Sequence, residues 1–345
     1  MKANLSGVLG FIGATCTLAS AAEAATLKVP QQYGTIQAAV DAAQEGDIVR
    51  VAPGIYTEHV IIQGKAITLA GAAANGTIID AQGSGRHVTV FQTGAGQVTI
   101  SGFTLRNGNG NAGIFPSIGF DHGGAIYAQN ANIAIRNNVI TDNHGCVGTA
   151  IDALEATVEL TRNRIEHNLA LPPDCGQQAV IIRGNLGAQS IVSGNVIQDH
   201  DVTALILQGA GQVTVSNNIF RNNVVNTPTN RGEYAALISV FTNLTLTGNL
   251  FTGNVGVVGA AHIGDFAGGV LRIANNSFVG NTGETDPSAL HFMGSGVTQY
   301  VIQNNRFDES PDRPAVRCEW PTGVDQSNIF AADPATATAG FCITP

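Results

Sequence analysis

The chain has 345 residues, of which 12% are charged and 44% hydrophobic, with 42 Gly and a formal net charge of −9. So few charged residues exclude a disordered chain, a coiled coil and an ordinary helical domain. The acidic balance argues against nucleic acid as a partner, because phosphates require basic patches. The composition therefore favours β structure built from one unit repeated many times.

Residues 1–24 have the pattern of a signal peptide. Lys2 precedes the apolar run 8–18, and Ala22-Glu23-Ala24 fits an A-x-A cleavage site. No other run reaches the length of a membrane span. We therefore expect a secreted or periplasmic protein without a membrane span, forming a single domain over residues 25–345 in a compartment that permits disulfides.

An Asn-containing turn recurs seven times, from RNNVITDN at 136–143 to QNNRFDES at 303–310. The third residue is always Asn, and an apolar residue follows two positions later. These residues are Asn138, Asn163, Asn195, Asn218, Asn249, Asn276 and Asn305, and a second row five residues on holds Asn143, Asn168, Asn223, Asn254 and Asn281. We interpret both rows as stacked turns whose amides satisfy backbone groups, not as ligand sites.

A second short segment follows each turn and carries Ala in one register, and the next residue is aliphatic in seven of eight copies. The residues after Ala are Ile126, Ile151, Val180, Leu205, Leu237, His262, Leu290 and Val316. Alternation predicts that they face inward, with His262 as a core histidine, while the residues on either side face outward. Each repeat of about 23 to 35 residues contains a strand, an Asn turn, a short strand, a loop and a further strand. This order indicates a parallel β-helix.

The opening VPQQYGTIQAAVDAAQEGDIVRVAPGIYTEHVIIQGKAITLAG at 29–71 resembles the start of the right-handed parallel β-helix family, which has the pectin-lyase-like fold. The resemblance implies an all-β right-handed solenoid with a cap over about 25–50, coils over about 51–320 and a tail over about 321–345. Within the cap, Thr35 is expected to begin a short amphipathic helix whose Ile36, Val40 and Ala43 cover the first coil. The fold hosts lyases, hydrolases, esterases, epimerases and adhesins, so it does not fix the reaction.

Four cysteines follow the signal peptide. Cys146 and Cys175 each lie four residues before the Ala of their coil, which places their Cα atoms about 4.8 Å apart on neighbouring coils. We predict a Cys146–Cys175 disulfide, and a second one between Cys318 and Cys342 that holds the tail over the last coil.

In the family that the chain resembles, the substrate cleft runs along the outer face of the strand that begins with each Ala. Two residues past the Ala, this face carries Tyr127, Asp152, Ile181, Ile206, Ile238, Ile263, His291 and Arg317. The four Ile residues cannot do acid–base chemistry. They are either covered by longer loops or form a surface for self-association.

Polar side chains gather towards the N-terminal end of this face, at Asp121, His122, Tyr127, Asp152 and Arg183. A lyase acting on a uronate needs a base for the C5 proton, a group that neutralises the carboxylate, and a proton donor. We assign His122 and Tyr127 as base or acid and Arg183 as the neutralising group. Asp121 and Asp152 would bind substrate or a calcium ion. The structural alternative is a solvated loop beside a packed Tyr127.

A second polar set lies towards the C-terminal end, at Asp265, His291, Arg317 and Glu319, and surface ion pairing would also explain it. The sequence thus supports two functions. One is a secreted polysaccharide lyase acting on an acidic glycan, without a cofactor or with calcium. The other is a non-catalytic adhesin or glycan-binding protein, which the acidic charge favours because it repels polyanions.

Overall fold

The structure, a computed structural model, describes residues 23–110, 122–170, 178–185, 187–225, 236–264, 270–284, 287–293 and 299–343. Its strands pair in parallel from coil to coil and form one sheet of 20 strands and one of 11 strands. Each coil contributes strands to three faces, which we name the first face, the second face and the site face. The solenoid and its stacked strands confirm the predicted fold class.

The first face consists of Thr26–Val29, Ile48–Val51, Thr68–Gly71, Gln97–Ser101, Asn132–Arg136, Thr157–Thr161, Gln189–Ser193, Val270–Ala274 and Gln299–Gln303. The second face consists of Gly54–Tyr56, Thr77–Asp80, Thr104–Arg106, Val139–Thr141, Arg164–Glu166, Val196–Gln198, Ile219–Arg221, Leu250–Thr252, Ser277–Val279, Arg306–Asp308 and Ile329–Phe330. The site face consists of Val60–Gln63, Val88–Phe91, Ile126–Gln129, Ile151–Leu154, Gln178–Arg183, Ala261–Gly264, Leu290–Met293, Val316–Gly323 and Thr338–Ile343. The long strands Thr203–Ser216 and Leu237–Thr247 span the site face and the first face.

Two pairs of short strands lie between the second face and the site face, at His144–Gly145 with Leu169–Ala170 and at Val255–Gly256 with Thr282–Gly283. The helices are Ile36–Ala42 and Pro334–Ala337. The Thr35 hydroxyl accepts a hydrogen bond from the Ala38 amide at 3.1 Å, as expected for an N-cap. Ile36 and Val40 are buried against the first coils, so the predicted helical cap is present.

The first asparagine ladder stands at the turn between the first and second faces. Asn249 Oδ1 accepts from the Asn218 amide at 2.9 Å and from Asn218 Nδ2 at 3.0 Å, while Asn249 Nδ2 donates to the Val215 carbonyl at 2.9 Å. The same contacts recur from Asn138 to Asn305, and the ladder continues to Asn328. The amides satisfy turn backbone, which confirms their predicted structural role.

The second ladder contains two residues that are not asparagine. His200 takes the position between Asn168 and Asn223, and Nδ1 accepts from the Asn168 amide at 3.1 Å. Glu309 ends the row, and its two oxygens accept from the Asn281 amide and Nδ2, both at 2.7 Å. The sequence predicted the asparagines of this ladder but not the presence of His200 and Glu309 at two of its positions.

The predicted register is wrong in the coil that contains Ala260 and Ala261. Leu237 pairs with Ala261, so Ala261 takes the inward position that we assigned to His262. His262 then lies in the outward row beside His291, and Ile263 points inward, fully buried. Two consecutive alanines made the register ambiguous. The observed choice puts the small side chain of Ala261 in the aliphatic core and lets the imidazole of His262 contact a polar partner, His291.

Candidate functional site

Three neighbouring strands of the site face bring the N-terminal polar residues together. Tyr127 on one strand pairs with Asp152 on the next, and Leu154 pairs with Arg183 on the third. His122 precedes the first of these strands and forms a bridge with Val147 on the following coil. Parallel stacking thus places side chains that are 61 residues apart in sequence within hydrogen-bond distance.

The Asp152 carboxylate is the centre of this group. Oδ2 lies 2.6 Å from His122 Nδ1 and 3.0 Å from Arg183 Nη2, and Oδ1 lies 3.2 Å from Arg183 Nε. Asp152 has no exposed surface, His122 is 6% exposed, and the Arg183 side chain is 24% exposed. The buried carboxylate is therefore paired on both oxygens, which is how proteins compensate a charge removed from water.

The contact with Asp152 fixes the state of the His122 ring. Because the carboxylate accepts, His122 Nδ1 carries the proton and donates it to Oδ2. In a neutral imidazole, Nε2 then has the lone pair. His122 is thereby oriented so that Nε2 can accept a proton, as in a carboxylate–histidine pair that acts as general base.

Tyr127 packs beside this group with its ring centroid 5.4 Å from that of His122 and 5.1 Å from Arg86 Cζ. The side chain is fully buried, and the hydroxyl has no hydrogen-bond partner within the described part of the chain. Burial, followed by the Asp152 charge, raises the pKa of Tyr127 to about 12. The phenol therefore stays protonated at neutral pH and can donate a hydrogen bond or a proton.

The structure brings four of the five predicted site residues together: His122, Tyr127, Asp152 and Arg183. Asp121 lies outside the described residues. Sequence reasoning missed Arg86, which stacks on Tyr127 from the previous coil. Its position two residues before the neighbouring strand Val88–Phe91 was the available signal.

The outer isoleucine row is shorter than predicted. Ile181 is only 5% exposed, Ile206 and Ile238 are half-buried, and Ile263 faces the core. Ile263 therefore cannot belong to a contact surface. Self-association through the other three isoleucines stays a prediction.

The cysteines were predicted to form two disulfides. Cys318 and Cys342 are bonded, with their Cα atoms 5.0 Å apart, and this bond joins the last two strands of the site face. Cys146 is also disulfide-bonded. Cys175 lies outside the described residues, so the pairing of Cys146 with Cys175 stays a prediction.

The C-terminal polar set has a different arrangement from the predicted one. His262 Nδ1 lies 3.2 Å from His291 Nδ1, and His291 Nε2 lies 3.4 Å from Glu319 Oε1, which also accepts from Arg317 Nε at 2.7 Å. Burial, with His291 next in size, lowers the pKa of His262 to about 4. The hydrogen bond from Arg317 holds the pKa of Glu319 below its usual value. Asp265 lies outside the described residues.

In the described ranges, no group of three or more His, Cys, Asp or Glu side chains is arranged to hold a metal ion. Calcium therefore stays a prediction. No helix in the same ranges is long and apolar enough to cross a membrane.

A sequence model described as "Right handed beta helix region" matches residues 88–307, more than half of the chain. The chain belongs to the right-handed β-helix family. The match covers the coils that carry His122, Asp152 and Arg183 as well as the histidine pair. Family membership fixes the fold of this β-helix protein but not its reaction.

Several solved structures are similar to this β-helix protein. A mutant of the PL6 family alginate lyase AlyGC is 14% identical with a TM-score of 0.39, covering 93% of this chain and 53% of that chain. A mannuronic acid specific polysaccharide family 6 lyase from human gut microbiota is 12% identical with a TM-score of 0.33, covering 93% and 91%. The pectin methylesterase from Aspergillus niger is 12% identical with a TM-score of 0.24, covering 94% and 84%.

The chain spans about half the length of the AlyGC chain. No curated protein matches it. Similarity at these identities and scores carries no inference about activity, which depends on the site itself.

Proposed function

We propose that the protein is a secreted or periplasmic carbohydrate-active enzyme that cleaves an acidic polysaccharide by β-elimination. The supporting observation is the buried hydrogen-bonded group in which Asp152 holds His122 at 2.6 Å and Arg183 at 3.0 Å. Such a group supplies an oriented base and a positive charge at one place on the outer face.

In this proposal His122 Nε2 takes the C5 proton of a uronate residue. The electrons of the C–H bond form the C4–C5 double bond, and the glycosidic oxygen leaves from C4. In the proposal Tyr127 gives that oxygen a proton, because its phenol is protonated at neutral pH and its hydroxyl has no partner among the described residues. Asp152 acts as a positioning residue, since both of its oxygens are occupied by His122 and Arg183.

Arg183 supplies the charge that the substrate carboxylate needs. Its Nε and Nη2 bind Asp152, which leaves the two N–H groups of Nη1 as donors. A carboxylate bound there would make the C5 proton more acidic by stabilising the negative charge that develops on it. Arg86, stacked on Tyr127, adds a second guanidinium near the phenol.

A non-catalytic glycan-binding role is the second candidate. The observation that favours it is the burial of Asp152 and Tyr127, neither of which has exposed surface. In that case the group joins three coils, and polysaccharide binds elsewhere on the solenoid.

The test incubates the purified protein with a panel of uronate polysaccharides, with and without calcium, and follows the absorbance of the unsaturated product. We expect product from the wild type, and a fall in kcat of at least about 100-fold in His122→Gln, because proton transfer by a positioned base contributes that much. Arg183→Lys should lower kcat as well as raise KM, because the same guanidinium would bind the substrate carboxylate and stabilise the charge that develops on it.

His167→Asn is the matched control for His122→Gln, because His167 is exposed on a turn at a positive φ of 52°, which Asn tolerates. The absence of product on every substrate, or equal rates for the wild type and His122→Gln, would contradict the enzyme proposal. Retained glycan binding in that case would favour the binding protein.

A further inference from the structure

A pair of buried histidines lies on the site face, towards the opposite end from His122. His262 and His291 are paired in register on neighbouring parallel strands and are 4% and 5% exposed. Their Nδ1 atoms are 3.2 Å apart, and their ring centroids are 5.1 Å apart with 56° between the planes. The two rings therefore face each other through the same nitrogen, Nδ1.

This spacing fits a shared metal ion. Two nitrogens that each lie about 2.0–2.1 Å from one tetrahedral zinc ion are about 3.3 Å from each other. The observed 3.2 Å requires almost no movement of either strand. Two Nδ1 atoms at this distance cannot both carry a proton, so at least one lone pair already points into the gap.

The surroundings of His291 match those of a metal-binding histidine. Its Nε2 faces Glu319 Oε1 at 3.4 Å, and Arg317 Nε holds the same oxygen at 2.7 Å. Metal-binding histidines usually donate their second N–H to a carboxylate, which fixes the tautomer and ring orientation. Donation from Nε2 to Glu319 leaves the lone pair of His291 on Nδ1, the atom that faces His262.

The backbone also makes room for the His262 ring. A Cβ atom added at Gly264 would lie 3.0 Å from His262 Nε2, closer than side chains normally approach. Glycine at this position therefore leaves room for the His262 imidazole where it contacts His291.

We propose that His262 and His291 bind a divalent transition-metal ion of the zinc, copper and nickel class, with water completing the coordination. Imidazole nitrogen suits these ions, whereas calcium and magnesium prefer oxygen ligands. The site is separate from the His122 group and does not depend on the proposed lyase reaction. The opposing possibility is a plain hydrogen bond between two neutral imidazoles.

The test titrates the protein, without a polyhistidine tag, with Zn²⁺ in competition with a chromophoric chelator. We expect about one ion per chain, no competition from Ca²⁺, and affinity at least about 10-fold weaker in His291→Gln and in the His262→Gln/His291→Gln double variant. Glu319→Gln should weaken binding by about 10-fold while both imidazoles remain. His167→Asn, which changes a distant exposed histidine, should bind as the wild type does.

Circular dichroism and the melting temperature show whether each variant is folded, and Co²⁺ absorption reports nitrogen ligation independently of affinity. The proposal is overturned if the wild type binds no Zn²⁺, or if the double variant binds it as tightly as the wild type. Glu319→Gln changes a half-buried surface position, so this variant should stay folded and still bind Zn²⁺ more weakly. If Zn²⁺ binding falls only in variants that have lost their fold, the proposal is also overturned.

Discussion

The asparagine ladders and the site face both bury polar side chains, but they differ in how these change along the solenoid. In the first ladder Asn218, Asn249 and Asn276 repeat the same contacts from coil to coil. On the site face the equivalent row changes from Tyr127 to Asp152 and only later to the two histidines.

Repetition explains the difference. Stacking one residue at every coil is favourable for a neutral amide, which donates to one neighbour and accepts from the other. Stacking one charge would place like charges about 4.8 Å apart and is destabilising. A buried charge is therefore stabilised where a neighbouring coil offers a complement, as Arg183 does for Asp152. A buried ionisable residue in this solenoid thus marks a departure from repetition, and it is the first place to look for function.

Asp152→Asn should produce the largest change in stability, because it removes the negative charge that pairs with Arg183 and replaces one accepting oxygen with an NH₂ donor. Breaking a buried ion pair by removing one partner costs about 3–5 kcal/mol. We expect a loss of that size in the free energy of unfolding, measured by urea denaturation. Glu319→Gln is the matched variant at the other end of the face, where the carboxylate is 36% exposed and the expected loss is below about 1 kcal/mol. Equal losses of unfolding free energy in the two variants would contradict the expected difference between the buried Asp152 and the partly exposed Glu319.

Glu309 is an ionisable residue within the second asparagine ladder, at a position where most other coils have a neutral amide. It therefore allows the effect of a buried charge to be measured inside a ladder. Burial raises its pKa from 4.5 to about 7, although the hydrogen bonds from Asn281 act in the opposite direction. The folded state therefore binds more protons than the unfolded state between these two values. It follows that the unfolding free energy falls as pH rises from about 4.5 to about 7, by at most about 3 kcal/mol.

The measurement compares urea unfolding of the wild type and Glu309→Gln at pH 5 and pH 8, which span most of this pH range. One Gln oxygen can accept both Asn281 hydrogen bonds, as Asn oxygens do elsewhere in the ladder. The variant should therefore lose this pH dependence while keeping the turn. The buried His87 and His200, whose pKa values are lowered to about 4 by burial, act in the opposite sense in both proteins and cancel in the difference. Identical pH profiles would remove Glu309 as the titrating group.

The fold and the turns could be predicted from sequence because they repeat. Seven copies of the Asn motif and eight of the Ala register fix the coils whatever the loop lengths between them. The same repetition identified His122, Tyr127, Asp152 and Arg183 as one group, since they fall on adjacent coils at related positions.

Features that do not repeat from coil to coil could not be predicted from the sequence. Ala260 and Ala261 allow two registers, and only packing of the neighbouring strands places His262 beside His291. His122 lies before the strand Ile126–Gln129, outside the repeated positions, so its 2.6 Å contact with Asp152 could not be predicted from the repeats. His200 and Glu309 could not be recognised from the Asn motif, because at those positions the ladder keeps its geometry with a different residue.

Tyr127→Phe should change the unfolding free energy less than Asp152→Asn does, and in the opposite direction. The wild-type hydroxyl is buried without a described partner, and such a group costs about 1–3 kcal/mol of desolvation. Removing it should raise the unfolding free energy by about 1 kcal/mol, since the ring keeps its contacts with His122 and Arg86. In Tyr56→Phe, the control, the lost hydroxyl donates to the Ala52 carbonyl at 2.9 Å, so stability should fall by about 1 kcal/mol. A stabilised Tyr127→Phe that has also lost activity would show that the hydroxyl is kept at a cost to the fold, as a proton donor requires. A destabilised variant would mean that the hydroxyl is bound in solution and that Tyr127 belongs with the structural residues.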